Sequence, residues 1–460
     1  MVIPNYVVPL NDIAGIIGNS PQAKYIFKYL KNNLHAQIAL IEENYIDKDY
    51  LIDYSGYYAR AFKRIDKCTT RIHFFSNSFS KQDFEDLLTG FREGTEIFKP
   101  FRDGYLGFVI VKPVKNKANQ PLIGRTILSH LPKADGDEFR EYLCSKNESN
   151  LYGLPFQIET LPFQAQDQAV AACATISLWT LNNKVKELYQ TPSLSPIEIT
   201  KRAIDAIEEF RSFPSAGLTI KQMFAFFRSI DLDCEYINIL NMQNVISDNK
   251  FSSKAREDIK EKLKRIVPDT IRALISAKIP IIAAIYIRKN NNKQIEREAS
   301  HTVLISGYKH DVRGKISKIY VHDDQIGPYC RVKDKSGDGS FRKWEYEWIT
   351  EFGFDEIDLN GLLIPLYPKI RLNYSEIYET LLQLRKGFPA NNLELHLKTI
   401  QDYKKEILLN NPKDKIKFLE KSMPRFMWVI RNVKDRSIIW DYIFDATFQN
   451  VSKIAEIYYT

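Results

Sequence analysis

Residues 281–287 read Ile-Ile-Ala-Ala-Ile-Tyr-Ile and follow directly on Pro280. A short, continuous apolar run rich in β-branched residues is typical of a strand that is buried on both faces. Two further stretches with strand character come next, HTVLISGY at 301–308 and ISKIYVH at 316–322, separated by the polar segment 310–314. The pattern predicts a hairpin of two antiparallel strands close to the buried strand.

Helical patterns precede these strands. Apolar residues recur with helical spacing from Cys173 toward Leu188, and 219–230 forms a second amphipathic pattern. A third helical region, 255–276, contains Pro268, which predicts a break there because proline lacks the N–H that an α-helix needs. Helices followed by an antiparallel sheet indicate an α+β fold for this part of the chain.

The length of 460 residues exceeds the size at which a single hydrophobic core usually stops growing. We therefore predict three parts: an N-terminal domain at 1–150, a central domain at 151–368 and a C-terminal region at 369–460. The two flanking parts mix helical and β-rich patterns, such as the strand candidates 426–433 and 438–443, and are predicted to be α/β accessory domains, the last with α+β character.

Composition restricts the class of protein. With 44% hydrophobic and 27% charged residues, the chain is typical of a soluble globular protein, and neither a secretion signal nor a membrane span is expected. The net charge of +8 is mild and does not call for nucleic-acid binding. Five cysteines without a CxxC pair favour a reducing, cytoplasmic compartment.

Cys173 and His301 are the first two candidate catalytic residues. A thiolate at a helix N-terminus is stabilised by unpaired backbone N–H groups and by the helix dipole, and Cys173 stands at such a position. His301 opens the predicted strand 301–308 after a charged loop, at the edge of the sheet, and an imidazole titrates close to neutral pH. Taken singly, a packing cysteine and an ordinary strand-end histidine are the alternative interpretations.

Asp323 completes the candidate set. If strands 301–308 and 316–322 pair as a hairpin, the end of the second strand lies beside the start of the first, so Asp323 comes next to His301. Side chains alternate along a strand, which points Asp323 toward the site and leaves Asp324 to the following turn. A turn-forming pair of aspartates is the alternative.

The order Cys173, His301, Asp323 resembles that of the papain-like cysteine peptidases, in particular the group of bacteriocin-processing double-glycine peptidases. The resemblance covers roughly 160–335 and is carried by segments at Gln166–Cys173, 217–222, 274–287, 301–308 and 321–323. It implies a papain-like core in which the helix of the nucleophile packs on an antiparallel sheet. It also implies that Cys173 is the nucleophile, His301 the general base and acid, and Asp323 the group that orients the histidine.

The same resemblance implies an oxyanion-hole glutamine, often six positions before the cysteine. That position is Asp167 here, flanked by Gln166 and Gln168, of which Gln166 is preferred. The family often has Asp-Pro where this chain has Asp323-Asp324, so either carboxylate is a candidate for orienting the histidine.

The predicted function is cleavage of a peptide or isopeptide bond in a protein or peptide substrate through an acyl-enzyme, without a metal or cofactor. A transglutaminase or other acyltransferase would use the same triad, and a non-catalytic binding or sensor protein is a further alternative. Nucleic-acid binding by 369–460 would rest on 16 Lys and Arg against 11 Asp and Glu, a small surplus. The sequence does not define the substrate or the oligomeric state.

Overall fold

The structure, a computed structural model, describes residues 6–62, 64–92, 96–132, 138–167, 172–205, 217–291, 294–347, 356–388, 392–434 and 437–459. The side chains at 138 and 289–298 lie outside that description. Three antiparallel sheets and one two-stranded hairpin organise the described chain. Of the described helices, none combines the length and the apolar character needed to cross a lipid bilayer.

The N-terminal sheet has five antiparallel strands in chain order: β1 (Val7–Pro9), β2 (Ile38–Tyr45), β3 (Thr69–Phe75), β4 (Tyr105–Lys115) and β5 (Pro121–Leu128). Its helices are α1 (Ala14–Ile17), α2 (Pro21–Asn32), α3 (Lys48–Gly56), α4 (Lys81–Gly90) and α5 (Lys99–Gly104). α2 begins where the Ser20 side chain accepts a hydrogen bond from the Ala23 N–H at 3.2 Å, with Pro21 in the first turn. This cap fixes the first turn of α2, and Gln22 in that turn contacts the central part of the molecule.

The central part contains the largest sheet and five of the described α-helices. Its first elements are the strands β6 (Glu138–Tyr142), β7 (Ser145–Leu151) and β8 (Leu154–Thr160). Next come α6 (Cys173–Tyr189), α7 (Pro196–Asp205), α8 (Ile220–Ser229), β9 (Asp233–Asn238), α9 (Ile239–Ser247) and α10 (Ser253–Ser276). The last six are β10 (Ile281–Asn291), β11 (Gln294–Asp311), β12 (Ile316–Asp323), β13 (Gly327–Asp334), β14 (Lys343–Tyr346) and β15 (Glu356–Leu366). The prediction that a helix begins at Cys173 is confirmed.

Strands β10 to β15 close into a six-stranded antiparallel barrel, because each strand pairs with the next and β15 pairs back onto β10. In β10, Ile285 stands opposite His301 of β11 on one side and Leu359 of β15 on the other. Side chains on both faces of this strand are buried, with only Tyr286 partly exposed, which explains the uninterrupted apolar run at 281–287.

Two more strands extend the barrel sheet. β9 pairs with β15, and β6 pairs with the C-terminal half of β11. Gly307 of β11 is required at this second junction, because a Cβ atom there would collide with the backbone of Glu141 in β6. A strand from the beginning of the chain is thereby joined to the strand that carries His301.

The prediction of an α+β, papain-like core was wrong, because the central sheet closes into a six-stranded barrel and the described residues form no papain-like core. The prediction of α/β flanking domains fails too, since the described strand pairs of both flanking sheets are antiparallel. Local patterns identify strands but not their partners. The pairing that closes the barrel joins β10 to β15, two strands far apart in sequence, and no periodicity reveals it.

The α10 helix corrects a second expectation. It runs without interruption from Ser253 to Ser276 although it contains Pro268. Apolar residues after the proline, including Ile271 and Leu274, are fully buried. Burial of this apolar face offsets the backbone hydrogen bond that the proline removes.

The C-terminal part is a four-stranded antiparallel sheet with three helices. Its elements are α11 (Tyr374–Gly387), β16 (Asn392–Thr399), α12 (Ile400–Leu409), α13 (Lys415–Glu420), β17 (Phe426–Lys434), β18 (Ser437–Asp445) and β19 (Lys453–Tyr458). The strands predicted at 426–433 and 438–443 are confirmed. Arg431 of β17 donates two hydrogen bonds of 2.8 Å to the buried Asp441 of β18, a bidentate pair that fixes the two strands against each other.

A single large apolar cluster connects these parts. It extends from Leu10 in the N-terminal part through the barrel to Ala446 in the C-terminal part. Tyr29 of α2 stacks on Tyr329 of β13 with ring centroids 6.3 Å apart. The barrel strands that carry the candidate site are therefore packed against elements from both ends of the chain.

Candidate functional site

His301 lies within the barrel wall. It is in the interior of β11, which begins at Gln294, so the prediction that His301 opens a strand was wrong. The side chain is almost completely buried, with 3% of its surface exposed. Only a specific set of partners can keep a titratable ring in such a position.

Asp323, the last residue of β12, is the nearest partner of this ring. Its Oδ1 lies 3.0 Å from His301 Nε2, and the same carboxylate accepts hydrogen bonds from the Tyr346 hydroxyl at 2.9 Å and from the Gln325 N–H at 3.0 Å. Burial alone would raise the pKa of Asp323, but the charge of His301 and these hydrogen bonds hold it below its ordinary value. An ionised carboxylate is an acceptor only, so His301 Nε2 carries the proton and Nδ1 is the ring nitrogen left for other chemistry.

The same contacts act on the histidine. Burial opposes the charged imidazolium, but the charge and hydrogen bond of Asp323, the side chain of Cys173 and the charge of Asp324 together raise the pKa of His301 well above its ordinary value. The buried Nδ1 atom has no hydrogen-bond partner among the described residues. With Nε2 occupied by Asp323, Nδ1 is the ring nitrogen that remains for proton transfer.

Cys173 is the first residue of α6, and its side chain is partly buried. The N-cap residue, Ala172, supplies no side-chain hydrogen bond to the first turn. The first-turn N–H groups and the positive end of the helix dipole are thus free to stabilise negative charge at the thiol or on a group bound to it.

Helix α6 is held tightly in place. The Ser177 hydroxyl donates to the backbone carbonyl of Thr302 at 3.0 Å, next to His301 in β11. Two residues further along the helix, the Trp179 indole N–H donates to Asp49 of α3 at 3.0 Å. These contacts bring the helix of Cys173 against the strand of His301 and fix their relative position.

Asp324 is buried as well. It occupies the turn after β12, as the alternation of side chains predicted, but only 2% of its surface is exposed. Its Oδ1 lies 3.7 Å from His301 Nε2, beyond hydrogen-bond distance, and neither carboxylate oxygen has a hydrogen-bond partner among the described residues. Burial, with a further contribution from Asp323, raises the pKa of Asp324 to about 7. Of the two candidate carboxylates, Asp323 is the one that hydrogen-bonds to the histidine.

Gln166 lies close to this cluster through its backbone, since its N–H donates to the Asp324 carbonyl at 3.4 Å. Gln166 also lines a cleft of about 380 Å³ together with Gln22, and neither Cys173 nor His301 lines that cleft. Asp167, six positions before Cys173, is buried and accepts a hydrogen bond from the Tyr58 hydroxyl. Gln168, the other candidate for the oxyanion hole, lies outside the described residues.

Two residues of the site were missed in the sequence. Tyr346 of β14 donates to Asp323, and the Gln22 side chain donates to the Asp324 carbonyl at 3.1 Å. Both residues are distant in sequence from the aspartates they contact. The sequence around each residue contains no motif that would identify it as part of the site.

The described residues contain one group of side chains with the composition of a metal site. His301, Asp323 and Asp324 each offer a ligand atom, and these atoms lie within 4.8 Å of one another. All three residues are buried. The carboxylates are thus placed to orient the His301 imidazole, and the three side chains together are placed to hold a cation.

The fold and the site together define a six-stranded barrel protein with a buried His-Asp pair beside a cysteine at a helix N-terminus. No protein-family model matches the chain, and comparison with curated proteins finds no match. The function is therefore inferred from the geometry of these residues.

Proposed function

We propose that this chain is a cysteine peptidase that cleaves a peptide or isopeptide bond through Cys173, His301 and Asp323. The observation that carries the proposal is the way in which the two ring nitrogens of His301 are used. Asp323 occupies Nε2 at 3.0 Å, Nδ1 has no hydrogen-bond partner among the described residues, and the Cys173 side chain is one of the groups that raise the pKa of the ring. A nucleophile, a base and a group that orients the base are the three parts of a nucleophilic triad.

In the proposed reaction, the Cys173 sulfur attacks the substrate carbonyl, and the thiol proton resides on His301 Nδ1. His301 then gives this proton to the leaving amine as the C–N bond breaks, which leaves a thioester on Cys173. Water attacks the thioester, His301 takes its proton, and the acid product leaves with regeneration of the thiol. Asp323 stays ionised and stabilises the imidazolium throughout.

The oxyanion that forms during each attack needs hydrogen-bond donors. The uncapped first turn of α6 supplies backbone N–H groups at Cys173. Gln166, whose backbone N–H donates to the Asp324 carbonyl, is the proposed second donor through its side chain. A cytoplasmic, reducing compartment is also proposed, supported by the finding that all five cysteines are free thiols.

Selective alkylation tests this proposal. At neutral pH, iodoacetamide or an electrophilic peptide probe should modify Cys173 faster than any other cysteine of the folded protein, because only Cys173 has a histidine partner and a helix N-terminus. Burial raises the pKa of Cys144 to about 11, and burial also raises the pKa of Cys234 and Cys330. Peptide mapping of the labelled protein by mass spectrometry measures the site.

Cys68 is the matched internal control, because it is a partly buried free thiol like Cys173 but is not among the groups that act on His301. The His301→Ala variant should lower the labelling rate of Cys173 toward that of Cys68. Equal labelling of Cys173 and Cys68 in the wild-type protein would refute the proposed role of Cys173.

A further inference from the structure

The charge of the buried cluster is not balanced by its neighbours. Asp323 and Asp324 are adjacent, and each is at least 97% buried. In the described part of the chain, His301 is the group that forms ion pairs with them, and no lysine or arginine does so. When both carboxyl groups are ionised, two carboxylates and one imidazolium leave one net negative charge in a site of low polarity, where an uncompensated charge is costly.

The groups that face Asp324 from the surrounding elements do not remove this imbalance. Gln22 of α2 and the Gln166 backbone both donate to its carbonyl oxygen and not to its carboxylate. Tyr346 of β14 donates to Asp323 instead. Both carboxylate oxygens of Asp324 are thus buried without a donor among the described residues, which is a rare state for an acceptor of this strength.

We propose that His301, Asp323 and Asp324 form a binding site for a divalent cation of the zinc class. His301 Nε2 lies 3.0 Å from Asp323 Oδ1 and 3.7 Å from Asp324 Oδ1. Ligand atoms about 2.0–2.1 Å from a tetrahedral zinc ion are about 3.3 Å apart, which falls between these two distances. One imidazole and two carboxylates are ligands that zinc accepts, and they leave a fourth position for water.

Charge balance supports the same assignment. A neutral imidazole, two carboxylates and a cation of charge +2 sum to zero. Binding displaces the proton from His301 Nε2 and releases it to the buffer, because a nitrogen atom cannot hold a proton and a metal with the same lone pair. The Asp324 oxygens then acquire the partner that they lack.

The cation would switch the peptidase off, and this part of the inference rests on the proposed function. With a metal on Nε2, the one remaining ring proton is on Nδ1. Nδ1 then has no lone pair with which to accept a proton from the Cys173 thiol or from water. The metal-bound and catalytic states of His301 therefore exclude each other.

Zinc titration of the full-length protein tests the site. The Cys173→Ala variant removes the thiol, a competing zinc ligand, and it should bind one Zn²⁺ in competition with a chromophoric chelator. Adding Asp324→Asn, which keeps the shape of the side chain but removes its charge, should weaken binding at least about tenfold. The Cys68→Ala variant is the control and should bind zinc as the wild type does.

A second measurement requires no substitution in the site. Calorimetric titration of the wild-type protein in buffers of different ionisation enthalpy should show proton release on zinc binding.

Loss of zinc binding in Cys173→Ala, or unchanged affinity in the protein that also carries Asp324→Asn, would overturn the inference. If zinc binds as expected but Cys173 shows no selective labelling without zinc, the metal site stands and the proposed peptidase function fails. If zinc-free protein is selectively labelled but does not bind zinc, only the metal site fails.

Discussion

Replacing Cys173 by alanine should abolish turnover of a peptide substrate, with a loss on the order of 10⁴–10⁶-fold, because the nucleophile of the acyl-enzyme is removed. Labelling by an electrophilic peptide probe should be lost at this position as well. Thermal unfolding should change little, because the thiol is only partly buried and alanine suits the start of a helix. Steady-state kinetics and thermal melting of the two proteins provide the measurement.

Cys68→Ala is the control for this experiment. Its turnover should equal that of the wild type, because Cys68 lies outside the site. Turnover that survives in Cys173→Ala at more than a few per cent of the wild-type rate would exclude Cys173 as the nucleophile. A loss in both variants would indicate damage to the fold.

Replacing Asp323 by asparagine is the second large effect that we expect. Asparagine preserves the shape but removes the charge that stabilises the imidazolium and fixes the Nε2–H tautomer of His301. Turnover should fall by about 10²–10⁴-fold, and alkylation of Cys173 should slow in parallel. Rates of both reactions, measured on variants of equal melting temperature, provide the comparison.

Two other variants calibrate this effect. Tyr346→Phe removes one donor, at 2.9 Å, from Asp323 and should cost about tenfold or less, in line with the loss of one hydrogen bond. Asp324→Asn should cost less than Asp323→Asn, because Asp324 lies beyond hydrogen-bond distance of the ring. If Asp324→Asn proved the more damaging change at equal stability, the orienting role would belong to Asp324.

The local elements of the site could be predicted from the sequence. The start of α6 at Cys173 follows from the apolar spacing after it, and the strand that ends at Asp323 follows from alternation in 316–322. Hairpin geometry then placed Asp323 near His301, and the two side chains do lie 3.0 Å apart. Each of these steps depends on contacts between residues close together in the chain.

The remaining features depend on pairing over long distances. The charged stretch around 289–298 was interpreted as a loop, but ladder pairing of β10 with β11 continues through it, from Lys289 opposite Arg297 to Asn291 opposite Gln294. Barrel closure and the hydrogen bond from Tyr346 to Asp323 likewise join separate segments of the chain, and no local sequence pattern predicts such contacts. The burial of Asp324 belongs to the same class, because a turn residue is normally expected at the surface.

The pairing of β6 with β11 has a consequence for how the chain can be shortened. A fragment that begins at 151 would lack β6, and the segment 307–311 of β11 would lose the ladder partners that run from Tyr142 to Glu138. Unpaired strand edges recruit other chains, so such a fragment should aggregate where the intact protein does not. Proteolytic removal of the N-terminal part would therefore expose an unpaired, aggregation-prone edge on the strand that carries His301.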